Sequence, residues 1–226
     1  MCFSASASFT AGTTLCVIGV AALKNTKTRS ELPFALMPLL FGIQQLSEGV
    51  IWLTFGHDAL LLRHVMTYLY SGFSHVLWPI YVPIAVSALE TVRWRKDAIF
   101  AFEAAGIVVG GYLLYGMVTR PLVAEVVGHH IIYASPFFNL LPVMVLYLAA
   151  TCVCCFFSSH RFVKLFGALA SMSFVLAYFV YVDALVSVWC FFAAILSLLI
   201  YVHLRFRALG VLPAAELALA PSSEAF

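Results

Sequence analysis

Several side chains that can ionise or act as ligands lie inside long apolar stretches of this sequence, and three of them are predicted at matching depths. They are Glu48, His75 and Cys190. Ionisable groups are costly in hydrocarbon, so inside a membrane they tend to mark function. At a rise of 1.5 Å per residue, the three lie roughly 9 to 15 Å from the same end of their predicted helices. A carboxylate, an imidazole and a thiol at matching depths could hold a zinc-like ion or exchange protons.

Two further candidate ligands lie in segments expected on the same side of the membrane. Cys2 would carry a free amine beside its thiol once the initiating methionine is removed, and such a pair can chelate a metal. His129 precedes a second histidine in the segment before the fifth apolar stretch. The alternative is an ordinary terminal cysteine and an ordinary loop histidine. We predict that the metal ligands are Cys2, His75, His129 and Cys190, with Glu48 as the catalytic base.

Polar and aromatic residues near these side chains predict the walls of a pocket. Residues three or four positions apart on a helix share a face, so several of them flank Glu48 and His75 directly. Trp189 stands next to Cys190. The alternative is that Glu48 and His75 only hold helices together through hydrogen bonds. The predicted pocket residues are Gln44, Gln45, Trp52, Ser71, Trp78, His130, Tyr133 and Trp189.

Seven apolar stretches occupy most of the 226 residues. They are 8–23, 32–55, 65–89, 98–118, 137–157, 165–182 and 184–204. About 20 helical residues cross a hydrocarbon core of about 30 Å. With 64% hydrophobic and only 10% charged residues, the chain has too little polar surface for a water-soluble domain. The predicted fold class is all-α, a polytopic membrane bundle of seven transmembrane helices.

Basic residues occur almost exclusively in every second gap between these stretches. Ten of the twelve lysines and arginines follow this rule: Lys24, Lys27, Arg29, Arg93, Arg95, Lys96, Arg161, Lys164, Arg205 and Arg207. Basic residues stay on the cytoplasmic side, which predicts an outer N-terminus and a cytoplasmic C-terminus. We read the net charge of +2 as a topology signal and expect no nucleic-acid partner. Residues 1–207 form the predicted membrane domain, and 208–226, rich in Ala, Pro and Ser, a disordered cytoplasmic tail.

Five segments in order carry a wider resemblance. They are Met1-Cys-Phe-Ser-Ala5, Gly42-Ile-Gln-Gln-Leu-x-Glu48-Gly-x-x-Trp52, His75-Val-Leu-Trp-Pro79, Gly128-His129 and Ser187-Val-Trp-Cys-Phe-Phe-Ala-Ala194. Together they resemble an uncharacterised family of small bacterial integral membrane proteins that open with Met-Cys-Phe-Ser-Ala. The resemblance covers nearly the whole chain except the tail. It implies a multi-pass protein of the bacterial inner (cell) membrane and makes the five candidate ligand and base residues family features, but it implies no activity.

A looser comparison is with seven-helix zinc amide hydrolases, such as alkaline ceramidases and adiponectin-receptor proteins. Those proteins carry a His-x-x-x-His pair on the last helix, whereas this chain has only His203 there. The similarity therefore ends at its most specific point.

Two functions remain open at this stage. The first is a metal-dependent membrane enzyme with a zinc-like, iron or copper ion in the outer leaflet, acting as a hydrolase on a small or amphiphilic ligand. The second is a carrier, channel or sensor in which Glu48 and His75 form a proton-linked pair. No organic cofactor is indicated, the lipid bilayer is the expected surrounding, and the oligomeric state is not set by the sequence.

Overall fold

A computed structural model of the chain describes residues 4–57, 59–128, 130–134, 137–138, 140–181 and 184–209. In this part of the chain, seven helices flank one two-stranded hairpin. The helices are α1 (Ala5–Lys24), α2 (Arg29–Thr54), α3 (Leu60–Leu89), α4 (Arg93–Thr119), α5 (Leu141–Phe156), α6 (Arg161–Val180) and α7 (Leu185–Ala208). The strands, between α4 and α5, are β1 (Val123–Val127) and β2 (His130–Ala134). The predicted helical bundle is confirmed, and each helix coincides with one apolar stretch except for a few residues at its ends.

Six of the helices in the described residues are long and apolar enough to cross a membrane. The remaining one, α5, is apolar but shorter. This composition supports a membrane protein. A seventh span by α5 and the orientation of the bundle stay predictions.

Helix α2 lies at the centre of the bundle. In its most apolar window, 67% of the residues are buried, compared with 28% in α1, α4 and α6. Helix α1 packs along it at short distance because glycines remove side chains from the contact. A Cβ atom added to Gly19 would lie 2.5 Å from the backbone nitrogen of Leu39, and one added to Gly42 would lie 2.7 Å from Cys16 Sγ. Small residues at the contact are a common means of packing membrane helices.

Helices α3 and α5 each contain one wide, π-helical turn. These turns are Gly72–Leu77 in α3 and Ala149–Val153 in α5. In a π turn the backbone N–H bonds five residues back instead of four, and such turns are frequent at functional sites. The Tyr147 hydroxyl, just before the turn in α5, donates to the carbonyl of Ser74 inside the turn in α3. The two irregular turns are therefore joined directly.

Polar contacts join several helix ends at one end of the bundle. Arg207, near the end of α7, forms a salt bridge with Glu31 at the beginning of α2. Arg95, in the first turn of α4, donates to the carbonyl of Phe157, which follows α5, at 3.0 Å. The basic residues assigned to the cytoplasm flank these joined helix ends. We call this the basic end.

A β-hairpin forms most of the segment that the sequence suggested to be an outer loop. Val123 pairs with Ala134 and Val127 with His130 in an antiparallel register. Gly128, in the connection between the strands, has a φ of +62°, a backbone region that glycine adopts without strain. Alternating apolar residues around this turn are a known hairpin signal, which our sequence interpretation did not use.

The hairpin packs against the bundle with one face. Because side chains alternate along a strand, Ile131 and Tyr133 share that face, and both are buried. They pack with Ile51 of α2, Tyr70 of α3 and Cys190 of α7. The hairpin thus adds residues to a cluster that three helices build.

Candidate functional site

Glu48 is fully buried on α2. Its Oε1 atom accepts a hydrogen bond from the Ser187 hydroxyl at 2.7 Å and another from the Tyr133 hydroxyl at 3.3 Å. Ser187 lies on α7 and Tyr133 on β2, so one carboxylate oxygen connects three elements. Hydrogen bonds to a charged group stabilise by roughly 1.5–3 kcal/mol each, which offsets part of the cost of burying the carboxylate.

Gln44 lies one turn away from Glu48 on the same face of α2. Its Oε1 atom accepts the indole N–H of Trp78 on α3 at 2.8 Å. Cys190 of α7 is buried and packs in one cluster with Tyr70 of α3. Cys190 follows Ser187 by three residues, so α7 presents a hydroxyl and a thiol to α2 on one face.

Two stacked aromatic rings close the site on the hairpin side. The rings of Tyr70 and Tyr133 lie 4.4 Å apart and are nearly parallel, at 8°. Tyr70 is fully buried. Offset stacking of this kind stabilises by about 0.5–1.5 kcal/mol beyond burial, so it fixes the position of the Tyr133 hydroxyl over Glu48.

His75 lies in the wide turn of α3 and is also fully buried. Its Nδ1 atom is 2.8 Å from the Ser74 hydroxyl, and its ring centre is 5.1 Å from that of Phe138. On α3 it stands between Tyr70 and Trp78, both of which contact the groups around Glu48. Glu48 and His75 both point into the bundle, and a direct contact between them stays a prediction.

We give the name Glu48 layer to the buried side chains of α2, α3, α7 and the hairpin that lie on or near the Glu48 carboxylate along their elements. Its members are Gln44, Glu48, Tyr70, His75, Trp78, Tyr133, Ser187 and Cys190.

Beside the Glu48 layer, Gln45 is fully buried, and neither its amide nitrogen nor its amide oxygen has a hydrogen-bond partner among the described residues. The same holds for the hydroxyl of Ser71 and the indole nitrogen of Trp52. Buried polar atoms are normally bonded, so these groups can serve a small polar ligand.

Three predicted pocket residues lie at the edge of the layer or apart from it. Trp52 packs in the cluster beneath the hairpin. The Trp189 indole donates to the carbonyl of Ala170 on α6 at 3.1 Å, so this side chain packs between helices. His130 lies on the opposite face of β2 from Tyr133, with its ring 5.2 Å from that of Tyr181.

Sequence interpretation missed four residues of this region: Tyr70, Ser74, Tyr147 and Ser187. Ser187 carried a usable signal, since it precedes Cys190 by one helical turn. Tyr70 and Tyr147 carried little, because a tyrosine in an apolar stretch equally suits the membrane interface.

Two of the predicted metal ligands, Cys2 and His129, lie outside the described residues. Within the described part of the chain, no group of three or more His, Cys, Asp or Glu side chains could hold a metal ion. His75 and Cys190 belong to the layer, but the complete predicted ligand set stays a prediction. A second group of possible ligands, Cys152, Cys154 and Cys155 of α5, is buried by helix packing. The Cys154 thiol donates to the carbonyl of Ala150, and Cys155 lies against Gly167 of α6.

A family model matches residues 1–215, which include every member of the Glu48 layer. The chain belongs to the family of unknown function DUF6629. This membership agrees with the resemblance to an uncharacterised family, and it assigns no activity to the layer. No curated protein and no solved structure matches the chain.

Proposed function

We propose that this DUF6629 protein is a proton-linked carrier, channel or sensor for a small polar ligand, with Glu48 as the group that gains and loses the proton. One observation carries the proposal: a carboxylate without exposed surface, in the most buried helix, accepts two hydroxyl hydrogen bonds on one oxygen. Ionisable groups inside a membrane are retained mostly where a ligand or a proton uses them.

The partners of Glu48 suit both of its protonation states. Hydroxyl groups donate to a carboxylate, and they also accept from a protonated carboxyl. One of the two hydroxyls, Ser187 or Tyr133, can therefore reverse its hydrogen bond when Glu48 takes up a proton, while the other continues to donate. An arginine or lysine in their place would only donate and would hold the carboxylate charged.

The ligand would bind beside Glu48, where Gln45 and Ser71 offer donors and acceptors. An amide and a hydroxyl suit a small neutral polar molecule. His75 supplies a second ionisable side chain, also fully buried. Ligand binding and proton binding would then be coupled, because both act on the same hydrogen-bonded groups.

Infrared spectroscopy of the purified protein tests this proposal with the proton as the probe. Besides the bands of exposed carboxyls, acidification should produce a separate band of a buried protonated carboxyl in the wild type. Glu48→Gln should remove that band, while the matched control Glu103→Gln, on α4, should keep it. If Glu48→Gln leaves the acid spectrum of the wild type unchanged, Glu48 does not titrate and the proposal is wrong.

A second candidate function, a metal-dependent membrane enzyme, is favoured by the position of Cys190. It is buried on α7, one helical turn after Ser187, whose hydroxyl donates to the Glu48 carboxylate. Thiolate, imidazole and carboxylate together suit zinc, and iron or copper also accept such ligands. Cys2, His75, His129 and Cys190 would hold the ion, and Glu48 would act as base towards a metal-bound water in a hydrolysis.

Elemental analysis separates the two candidates. A metal enzyme should carry close to one zinc-like ion per chain, and His75→Ala should remove it. The control Cys155→Ala, in the packed run of α5, should retain it. A wild type without stoichiometric metal, purified without chelators, overturns the enzyme and leaves the proton-linked function.

The membrane placement forms part of the proposal. The basic end would face the cytoplasm, and the hairpin would face the outside of a bacterial inner membrane. The Glu48 layer would then lie in the outer leaflet, close to the hairpin.

A further inference from the structure

A cavity of about 310 Å³ opens at the basic end of the bundle. It lies at the opposite end of α2 from the hairpin, next to Glu31, and does not involve the Glu48 layer. Helices α2, α3, α6 and α7 contribute its walls. Its volume is at the lower end of the range for small-molecule sites.

Arg207 lines this cavity, and one of its three guanidinium nitrogens has no hydrogen-bond partner among the described residues. Its two terminal nitrogens bond to the two carboxylate oxygens of Glu31, and Glu31 Oε2 also accepts the backbone N–H of Lys27 at 2.8 Å. This third nitrogen, Nε, is buried. Both oxygens of Glu31 are thus hydrogen-bonded, whereas Arg207 Nε can still donate to an acceptor.

Other donors share the cavity wall with Arg207. His203 lies stacked on Phe162, with ring centres 4.2 Å apart, so its position at the wall is fixed by packing. Thr91 also lines the cavity, and so does His160, whose Nε2 atom is already 3.0 Å from the carbonyl oxygen of Leu89. Arginine, histidine and hydroxyl groups in one place are the donors that phosphate oxygens accept from.

Apolar side chains complete the wall. Phe34 and Leu204 are buried core residues that also face this cavity. An amphiphilic molecule could therefore place its phosphate at the donors and an apolar part against these two residues. The ten basic residues at this end would raise the local concentration of anions.

We propose that this cavity binds a phosphate group, carried either by an anionic lipid of the adjacent leaflet or by a soluble phosphate ester. The site is independent of the Glu48 layer and of the function proposed for it. The phosphate would accept from Arg207 Nε, His203 and Thr91 without displacing Glu31.

Three variants of the full chain test the proposal. Ala88→Leu adds volume at the cavity wall and leaves every charge in place. His203→Gln removes one donor that can carry charge. Arg205→Gln is the control, because this exposed arginine lies on the same helix end but does not line the cavity.

Native mass spectrometry from nanodiscs containing phosphatidylglycerol and phosphatidylcholine counts the retained lipid. Thermal unfolding in detergent with added inorganic phosphate or glycerol 3-phosphate measures binding of soluble phosphate. Retained phosphatidylglycerol identifies a lipid source, and stabilisation by the soluble probes identifies a soluble one. In both measurements, Ala88→Leu and His203→Gln should weaken binding about tenfold, the equivalent of one charged hydrogen bond. Arg205→Gln should leave binding unchanged.

The opposite pattern overturns the proposal. If Arg205→Gln weakens binding as much as His203→Gln, and Ala88→Leu has no effect, anions are attracted by the surface charge and not by the cavity. Absence of both lipid retention and stabilisation in the wild type overturns it as well. Because Ala88→Leu and His203→Gln act through different changes, failure of one to fold leaves the other decisive.

Discussion

The Tyr133 hydroxyl reaches from the hairpin to Glu48 in the middle of α2, 85 positions away in sequence. The same tyrosine stacks on Tyr70 of α3. A change in the charge of Glu48 therefore acts directly on the hairpin, since it alters the hydrogen bond that holds Tyr133. Through this one hydrogen bond, the hairpin is linked directly to Glu48 in the interior of the bundle.

Removing that hydroxyl should destabilise the bundle measurably. Tyr133→Phe keeps the stacked ring but leaves Glu48 with one donor fewer, so we expect a loss of about 1–2 kcal/mol in the free energy of unfolding. This exceeds the average of about 0.6 kcal/mol for hydrogen bonds between membrane helices, because the acceptor is a carboxylate. Reversible unfolding in mixed micelles provides the measurement. Tyr178→Phe, at an exposed position of α6, is the control, and equal effects of both variants would contradict the expectation.

A second prediction concerns the crossing of α3 and α4. A Cβ atom added to Gly106 would overlap the carbonyl oxygen of Pro79, so Gly106→Ala must push the two helices apart. Overpacking of this kind costs about 1–3 kcal/mol. A Cβ atom added to Gly111, on the same helix, would meet no atom of the described residues within 4 Å. Gly111→Ala should therefore leave the unfolding free energy unchanged or raise it slightly, because alanine favours the helix.

Reporter fusions test the orientation. Fusions after Arg29, Lys96, Lys164 and Arg207 should report the cytoplasm. Fusions near Asp58 and Glu125 should report the outside, because basic residues are retained on the cytoplasmic side. An inverted pattern, or one in which α5 fails to cross, would require a different topology.

The stability of the basic end should depend on pH through Glu90. Burial by itself would raise the pKa of Glu90, but hydrogen bonds outweigh it and hold the pKa below its ordinary value of 4.5. They come from the backbone N–H groups of Val92, Ser159 and Thr91 and from the Ser159 hydroxyl. A carboxyl with a lowered folded-state pKa stabilises fully above its unfolded pKa and loses this contribution as the pH falls through the folded value.

Comparison with Glu90→Gln over a pH series isolates this effect. The difference in unfolding free energy between wild type and variant should stay constant down to about pH 5.5 and shrink below about pH 4.5. Glu125→Gln, an exposed position on β1, should match the wild type throughout. If the difference in unfolding free energy between the wild type and Glu90→Gln grows on acidification, the lowered pKa of Glu90 is wrong.

The sequence predicted the helices well because their apolar character and length are local properties. It also predicted that Glu48, His75 and Cys190 would lie within the bundle, since ionisable groups seldom face lipid. It did not predict the Ser187 and Tyr133 hydrogen bonds to Glu48. Those depend on the rotation of α7 and on the docking of the hairpin, which are set by contacts between distant segments.

The sequence also did not predict the salt bridge between Glu31 and Arg207. Both residues border apolar stretches, where the charge pattern indicates topology but not pairing. Only the packing of α7 beside α2 brings the two ends together. The cavity next to this pair is likewise a property of four helix ends and leaves no pattern in any one of them.

The wide turn of α3 has a consequence for how this chain tolerates changes in length. A π turn amounts to one residue inserted into a regular α-helix. Deleting Phe73 from the wide turn would leave a regular α-helix in which both halves of α3 keep their relative rotation, so Trp78 would stay opposite Gln44. Deleting a residue from a regular part of α3 would instead rotate one half by about 100° relative to the other. The wide turn is thus the place in α3 where the length of the helix can change by one residue with the least effect on the contacts of either half.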